Sequence, residues 1–169
     1  MIELEKPENR TEVEAAFKEN RDLSDQDLSS LDLSGIKLLG FNGENLDLSQ
    51  ANLEGAIVAG ANLAGANLSD ARMRGTLVAG VNLENADLAG ADMSDSKWLG
   101  ANVSGADFTG ATTAGAKSSG VSWSSAKVPP PELPESLIPF PAWLPFLLVG
   151  ILTLAIILIK KQRSLNSGQ

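Results

Sequence analysis

A repeat of five residues, unbroken from Leu23 to Val128, constrains the fold of this chain more than any other feature. Every fifth residue in this frame is large and apolar at 19 of 22 positions, the exceptions being Gly43, Thr113 and Ser118. Two places earlier, 12 of the 22 residues are Ala. A period of five fits neither a helix nor a strand. Each pentad is therefore predicted to be a short straight segment that points one small and one large side chain inward and then turns.

The composition narrows the range of functions. The 169 residues include no Cys and no His, so disulfides, zinc–thiolate sites and the commonest general base are excluded. The net charge of −8 argues against direct binding to nucleic-acid phosphates. We therefore expect a scaffold, a binding module or a membrane accessory rather than an enzyme, with no catalytic residue, no cofactor and no metal site.

Two segments flank the repeat domain, which we place at residues 22–128. Residues 1–21 form a charged N-terminal cap, in which T-E-V-E at Thr11–Glu14 has the pattern of a capping box. This pattern predicts a short helix with Val13, Ala16 and Phe17 on one face. Residues 129–141 contain six of the eight prolines and predict an extended, semi-rigid spacer.

The 18 residues 142–159 contain no charged side chain. A helix of this length would be about 27 Å long, close to the thickness of the hydrocarbon core of a bilayer. The segment is apolar all round, and the repeat domain needs no such helix, so a buried soluble helix is disfavoured. We therefore predict a single-pass transmembrane α-helix followed by a basic tail, 160–169. The residues predicted to lie at the membrane interface are Trp143, Lys160, Lys161 and Arg163.

The pentads A-N-L-E-G (51–55), A-N-L-A-G (61–65), A-N-L-S-D (66–70), A-D-L-A-G (86–90) and A-D-F-T-G (106–110) resemble the pentapeptide-repeat family, whose pattern is A-(D/N)-L-x-x. The resemblance implies an all-β solenoid: a right-handed quadrilateral β-helix with four pentads per coil. The 22 pentads would then make about five and a half coils and a rod about 26 Å long. The family pattern includes no transmembrane segment, and the family serves many functions, so the resemblance implies little about function.

Departures from the family pattern concern both ends of the rod. Gly43 stands at a central position beside Phe41, and we expect these two residues to exchange volume. The N-terminal helix should cover this end. Near the other end, Thr113 and Ser118 place hydroxyls in the lumen, which predicts the least stable coil, and Trp123 is expected to close the rod. The sequence gives Trp98 no clear role.

With four pentads per coil, residues 20 apart share a face, and three of the four faces are polar. The fourth carries apolar residues among lysines on an otherwise acidic rod. Such surfaces tend to mark docking sites. The alternatives are cover by the N-terminal segment or the spacer, and no role at all. The residues of this candidate interaction surface, here called the docking face, are Lys37, Leu39, Ile57, Ala59, Leu77, Ala79, Lys97, Leu99 and Lys117.

The favoured function is a non-enzymatic, membrane-anchored scaffold that binds a membrane-complex subunit or assembly client through the docking face. The alternative follows from the resemblance, because acidic pentapeptide-repeat proteins include DNA mimics that engage gyrase. Residues 22–128 carry 13 acidic and six basic side chains. This hypothesis of an acidic decoy or regulator is weaker, since the rod is short and its charge is interrupted. Catalysis is disfavoured because the carboxylates lie on convex faces exposed to water rather than in a dry, concave site. A calcium site is also disfavoured, because a flat face supplies too few converging oxygen ligands.

Two signals disagree about membrane topology. The start M-I-E-L-E-K-P-E-N-R lacks the basic and apolar regions of a signal peptide, which favours repeats in the cytoplasm. Glu132 and Glu135 precede the predicted span and the basic tail follows it, which favours a cytosolic C-terminus. We favour cytoplasmic repeats, because a ten-residue tail crosses a bilayer more readily than a folded solenoid. The resemblance further implies a cyanobacterial plasma or thylakoid membrane, since these repeats are abundant in cyanobacteria. The sequence indicates no particular partner, pathway or oligomeric state.

Overall fold

The computed structural model describes residues 7–19 and 21–137. The chain divides into a unit Met1–Leu137 and a unit Ile138–Gln169, and the described residues all belong to the first. The predicted span 142–159, its interface residues and the basic tail therefore lie outside the described residues. Within the described ranges, no helix has the length and apolar character needed to cross a bilayer.

One helix, α1, is followed by parallel strands that stack in sequence order into a single sheet. Adjacent strands from β1 to β5 are 20 residues apart, as in the register Lys37↔Ile57. This is the predicted all-β solenoid with four pentads per coil, and it has about five coils. The elements of the described chain are α1 Arg10–Glu19, β1 Lys37–Leu39, β2 Ile57–Ala59, β3 Leu77–Ala79, β4 Lys97–Leu99, β5 Lys117–Ser119, a 3₁₀ turn at Trp123–Ser125, and β6 Glu135–Ser136.

The other faces of the coil pair through single residues, such as Asp47↔Asn67 and Asn67↔Asp87. From Asp25 to Gly120, each pentad ends in a turn whose last residue takes a positive φ, which explains the preference for glycine there. At Gly90, φ is 71° and a Cβ would lie 2.3 Å from the Asp70 Oδ1 atom of the coil before. Asp70 itself adopts φ 56°, so Asp and Asn substitute for glycine at several of these turns.

The central and the small residue of each pentad both point into the lumen, as the period of five predicts. Leu68 and Leu88 are buried, and so are Ala66 and Ala86. Backbone hydrogen bonds join successive coils: the Leu68 amide donates to Asp87 O (2.6 Å) and the Asp87 amide to Ala66 O (2.9 Å). The lumen is thus an apolar column enclosed by a hydrogen-bonded backbone.

Helix α1 begins earlier than predicted. Asn9 rather than Thr11 is the N-cap: its Oδ1 accepts the Glu12 amide at 3.2 Å, and its Nδ2 donates to Glu12 Oε1 at 2.9 Å. The prediction of a cap at Thr11 is wrong. Two capping-box patterns overlap in this segment, N-R-T-E at 9–12 and T-E-V-E at 11–14, and the helix uses the first. The Asn9 cap also places Arg10 where its Nη1 reaches Ser34 O at 2.5 Å.

The apolar face of α1 covers the first coil, as predicted. Val13 is fully buried. Phe17 meets Phe41 edge to face, with ring centroids 5.9 Å apart. Gly43 leaves room for Phe41, since a Cβ at this glycine would lie 2.7 Å from Phe41 Cε2.

Residues up to Leu137 belong to the β-helix, although the sequence predicts a spacer from residue 129. Glu135 and Ser136 pair with β5, and the Glu135 amide donates to Ala116 O at 2.9 Å. Pro130 and Pro134 are buried. Pro134 directly precedes β6, the last described strand, where the missing N–H of a proline is tolerated.

Polar groups in the lumen fasten this last coil. The Thr113 hydroxyl donates to the carbonyl of Glu132. Trp123 is only 7% exposed, closes the rod as predicted, and donates its indole N–H to the Ser118 hydroxyl at 3.2 Å. The two hydroxyls that the sequence marks as weak points thus have hydrogen-bond partners.

Trp98 belongs to an aromatic cluster that fills the C-terminal lumen. Its ring centroid lies 6.3 Å from that of Phe108 and 5.5 Å from that of Trp123, both in edge-on geometry. Its indole N–H donates to the Ser96 hydroxyl at 2.8 Å. Ser96, the small residue of the same pentad, thus provides the hydrogen-bond acceptor that the buried indole needs.

Candidate functional site: the docking face

The structure brings all nine residues of the docking face onto the outer surface of one parallel sheet. Because alternate residues of a strand point to opposite faces, the first and third residues of β1–β5 point outward and form two columns. At about 4.8 Å per strand, each column is about 19 Å long. The first column is Lys37, Ile57, Leu77, Lys97 and Lys117, and the second is Leu39, Ala59, Ala79, Leu99 and Ser119.

The docking face is apolar in its middle and more exposed at its ends. Ile57 and Leu77 are half-buried against their neighbours, whereas Leu39 and Leu99 are 46% and 36% exposed. Leu137, which directly follows β6, is 37% exposed and extends the apolar surface beyond β5. Sequence analysis missed Leu137 because it falls after the last recognisable pentad.

Lysines flank the apolar centre of the docking face. Lys37, Lys97 and Lys117 are exposed, and none of them forms an ion pair with another described residue. The register places Glu135 beside Lys117 on the last strand. The surface therefore combines an apolar stripe with positive charge at both ends, on a rod that is otherwise acidic.

The described flanking segments leave the docking face uncovered. Helix α1 packs on the first coil through Val13 and Phe17. Residues 130–137 lie at the far edge of the sheet beyond β5. The high exposure of Leu39 and Leu99 means that cover by these described segments does not occur at those residues.

A second feature is a column of carboxylates on another face. Asp27, Asp47, Asp87 and Asp107 follow one another in register, with Asn67 between the two pairs. In each, Oδ1 accepts the backbone N–H two residues further on, as from Ser49 to Asp47 at 2.8 Å. These carboxylates therefore stabilise their own turns.

Hydrogen bonding also keeps several carboxyl groups ionised. The pKa of Asp107 is lowered chiefly by the Thr109 hydroxyl, and also by the Thr109 amide and the Lys127 ammonium, which lies 3.3 Å away. The pKa of Asp92 is lowered chiefly by the Ser94 hydroxyl. None of these groups lies in a dry cleft, and within the described ranges no cluster of acidic residues has the arrangement needed to hold a metal ion.

Asparagines form a ladder on a third face. The Nδ2 groups of Asn62, Asn82 and Asn102 each donate to Oδ1 of the asparagine one coil before, at 2.8–3.0 Å. Asn42 donates to Asp22 in the same way. The amides thus bond to one another along the rod, which stabilises the stacking of coils.

Comparison with known proteins agrees with this fold. Residues 47–85 and 86–117 match the family model of pentapeptide repeats in eight copies. The crystal structure of HetL, a pentapeptide repeat protein involved in heterocyst differentiation regulation from the cyanobacterium Nostoc sp. strain PCC 7120, is similar with 30% identity and a TM-score of 0.55. That match covers 66% of this chain and 51% of HetL.

A second similar structure is Rfr23, a pentapeptide repeat protein from the cyanobacterium Cyanothece 51142, with 30% identity and a TM-score of 0.50. The match covers 58% of this chain and 64% of Rfr23. The chain thus spans about half to two thirds of the length of these two proteins. No curated protein matches the sequence significantly.

Proposed function

We propose that this chain, whose repeat domain belongs to the pentapeptide-repeat family, is a non-enzymatic scaffold that binds a membrane-associated protein through the docking face. Proteins of this family are generally structural or interaction proteins rather than enzymes. The observation that carries the proposal is the continuous exposed surface from Leu39 to Leu99, which combines apolar side chains with lysines that have no ion-pair partner in the described part of the chain.

The chemistry of the docking face defines the partner. Ile57 and Leu77 stand side by side at the centre of the first column, where a partner would exclude water most completely. Lys37 and Lys97 stand on either side of them. A complementary surface would therefore present an apolar patch with carboxylates at its margin, and charge would set its orientation and association rate.

Replacing both Ile57 and Leu77 with Ser is expected to weaken partner capture at least about tenfold. Burying each side chain contributes roughly 1.5–3 kcal/mol, less the part already buried and the costs of association, and about 1.4 kcal/mol corresponds to tenfold in affinity. The melting temperature should change little, because both side chains point away from the lumen. The measurement is quantitative co-purification from detergent-solubilised membranes with wild-type and variant baits.

The matched control replaces Ala64 and Ala89 with Ser, on faces away from the docking face. Both lie just after a central residue of their pentads, as outward positions do. This variant should capture the partner as the wild type does. Equal capture by the Ile57 and Leu77 double variant would contradict the proposal.

The alternative function is an acidic decoy or regulator of a DNA-binding protein such as gyrase, and the observation that favours it is the carboxylate column. Asn67 interrupts this column, and Lys127 pairs with Asp107 at its end, so the charge is partly broken. Replacing Asp47 and Asp87 with Asn keeps the Oδ1 acceptors of both turns and removes only charge. Loss of binding in this variant alone, with steep salt dependence, would favour the decoy over the scaffold.

We further propose that residues 142–159 cross a membrane and anchor the scaffold. The support is the run of 18 uncharged residues that contains Trp143 and ends before Lys160. We propose that the repeats lie in the cytoplasm. HetL and Rfr23 come from cyanobacteria, and in a cyanobacterial cell the membrane would be the plasma or the thylakoid membrane.

Deleting residues 142–169 is expected to release a soluble, folded β-helix, whereas the full chain should resist carbonate extraction from membranes. A matched deletion of residues 129–169 should give a less stable domain, because it removes β6 and the carbonyl bonded by Thr113. Carbonate extraction and circular dichroism make both measurements. Release of the full chain by carbonate would refute the anchor, and digestion of the repeats in sealed right-side-out vesicles would reverse the topology.

A further inference from the structure

Strand β1 is an edge of the sheet, because the strand order begins with it. In the next coil the Ile57 amide donates backward to Ile36 O at 2.8 Å. The equivalent amide of Lys37 therefore points away from β2, and by the two-residue period so does that of Leu39. Neither amide has a hydrogen-bond partner among the described residues.

A groove of about 300 Å³ lies beside this edge. Its helical wall is made by Arg10, Glu14, Phe17 and Lys18 of α1, and its strand wall by Lys37 and Leu38. Side chains near α1 bond carbonyls at the two ends of the edge: Arg10 bonds Ser34 O, and Arg21 Nη1 bonds Leu39 O at 3.3 Å. The edge is thus fixed at its ends and open along β1.

The charge of the groove is positive. Arg10 pairs with Glu14 at 2.8 Å, which neutralises the one carboxylate in its described walls. Lys18 and Lys37 have no ion-pair partner among the described residues, and Arg21 stands at the end of the edge. Phe17 supplies an apolar part of the groove lining, and the Arg21 guanidinium lies over its ring, 5.7 Å from the centroid.

We propose that this groove binds an extended acidic segment of a partner protein, which adds a strand to β1. The amides of Lys37 and Leu39 would donate to the backbone of the segment, as in other cases of strand addition to a sheet edge. Carboxylates of the segment would face Lys18 and Lys37, and an alternate apolar side chain would contact Phe17. This site lies at the N-terminal end of the rod and is distinct from the central apolar stripe of the docking face.

The test uses the full chain in detergent and a fluorescent, N-acetylated and C-amidated peptide of alternating Glu and Leu. Binding is measured by anisotropy as a function of salt, and the Lys37 and Leu39 amides are followed by hydrogen exchange in nuclear magnetic resonance. We expect saturable binding that weakens with salt, and slower exchange at these two amides. A peptide of alternating Lys and Leu should not bind.

Two variants separate strand addition from general attraction of charge. Leu39→Pro removes an amide that is not bonded to β2, so the fold should persist while binding falls at least about tenfold. Lys37→Glu should also weaken binding about tenfold, and Arg72→Glu, which makes the same change of charge at an exposed residue on another face, should not.

Three results would overturn the proposal. Equal weakening by Lys37→Glu and Arg72→Glu would show general charge attraction. Unchanged binding in Leu39→Pro, with wild-type circular dichroism, would exclude pairing with the strand edge. Binding that occurs only after removal of residues 1–6 would assign the groove to the chain's own N-terminus.

Discussion

Leu68→Asp and Leu88→Asp are each expected to unfold the β-helix, whereas Asp87→Ala leaves it folded. Leu68 and Leu88 are buried in adjacent coils, so a carboxylate at either position would lie in an apolar lumen without a partner. Such burial costs several kcal/mol, a large part of the roughly 5–15 kcal/mol that stabilises a typical domain. Asp87 is next to Leu88 but points outward, and its loss removes one turn hydrogen bond, worth about 1 kcal/mol.

The measurement is urea unfolding followed by circular dichroism on the fragment that lacks residues 142–169. Leu68→Met serves as the control for the lumen position, because it keeps volume and apolar character and should cost less than about 1.5 kcal/mol. Similar unfolding midpoints for Leu68→Asp and Asp87→Ala would show that the assigned repeat frame is wrong.

The interior of this rod was predictable because each coil repeats the same local constraints. Ala66, Leu68 and the turn residue Asp70 recur 20 residues later as Ala86, Leu88 and Gly90. A frame read from one coil therefore assigns inside and outside in the next. The same period placed the docking face, since its columns need only the 20-residue spacing that the strands confirm.

The ends of the rod were less predictable because tertiary contacts shape them. Nothing in the pentad pattern indicates that Glu135 pairs with β5, or that Thr113 bonds the carbonyl of Glu132. The prolines of this segment predict a spacer from the sequence alone, whereas the structure shows that Pro130 and Pro134 are buried.

The groove beside β1 was likewise not predictable from the sequence. It depends on where α1 packs, and the sequence predicts a helix and its apolar face but not the position of that helix relative to a strand edge. The role of Trp98 was also not predictable from the sequence. Its ring contacts that of Trp123, 25 residues later, only because the last coils stack on one another.

Restoring the family pattern at residue 43 alone is expected to destabilise the protein. Gly43→Leu would place a Cβ 2.7 Å from Phe41 Cε2 and 2.9 Å from Leu63 Cδ2, before the rest of the side chain is added. Overpacking of this kind costs about 1–3 kcal/mol or more. Phe41→Ala alone should cost about 3–5 kcal/mol, since it leaves a cavity and removes the contact with Phe17.

The two changes together should be less harmful than their sum. The double variant Phe41→Ala, Gly43→Leu has the A-N-L pattern at 41–43, which is already present at 51–53 and 61–63. The leucine side chain introduced at position 43 would then fill the space vacated by the Phe41 ring, and the free energies of unfolding from urea titrations should differ from additivity by at least about 2 kcal/mol. Phe41→Ala combined with Val103→Leu, three coils away, is the control and should be additive. Additivity in the 41 and 43 pair would mean that these residues do not share one space in the lumen.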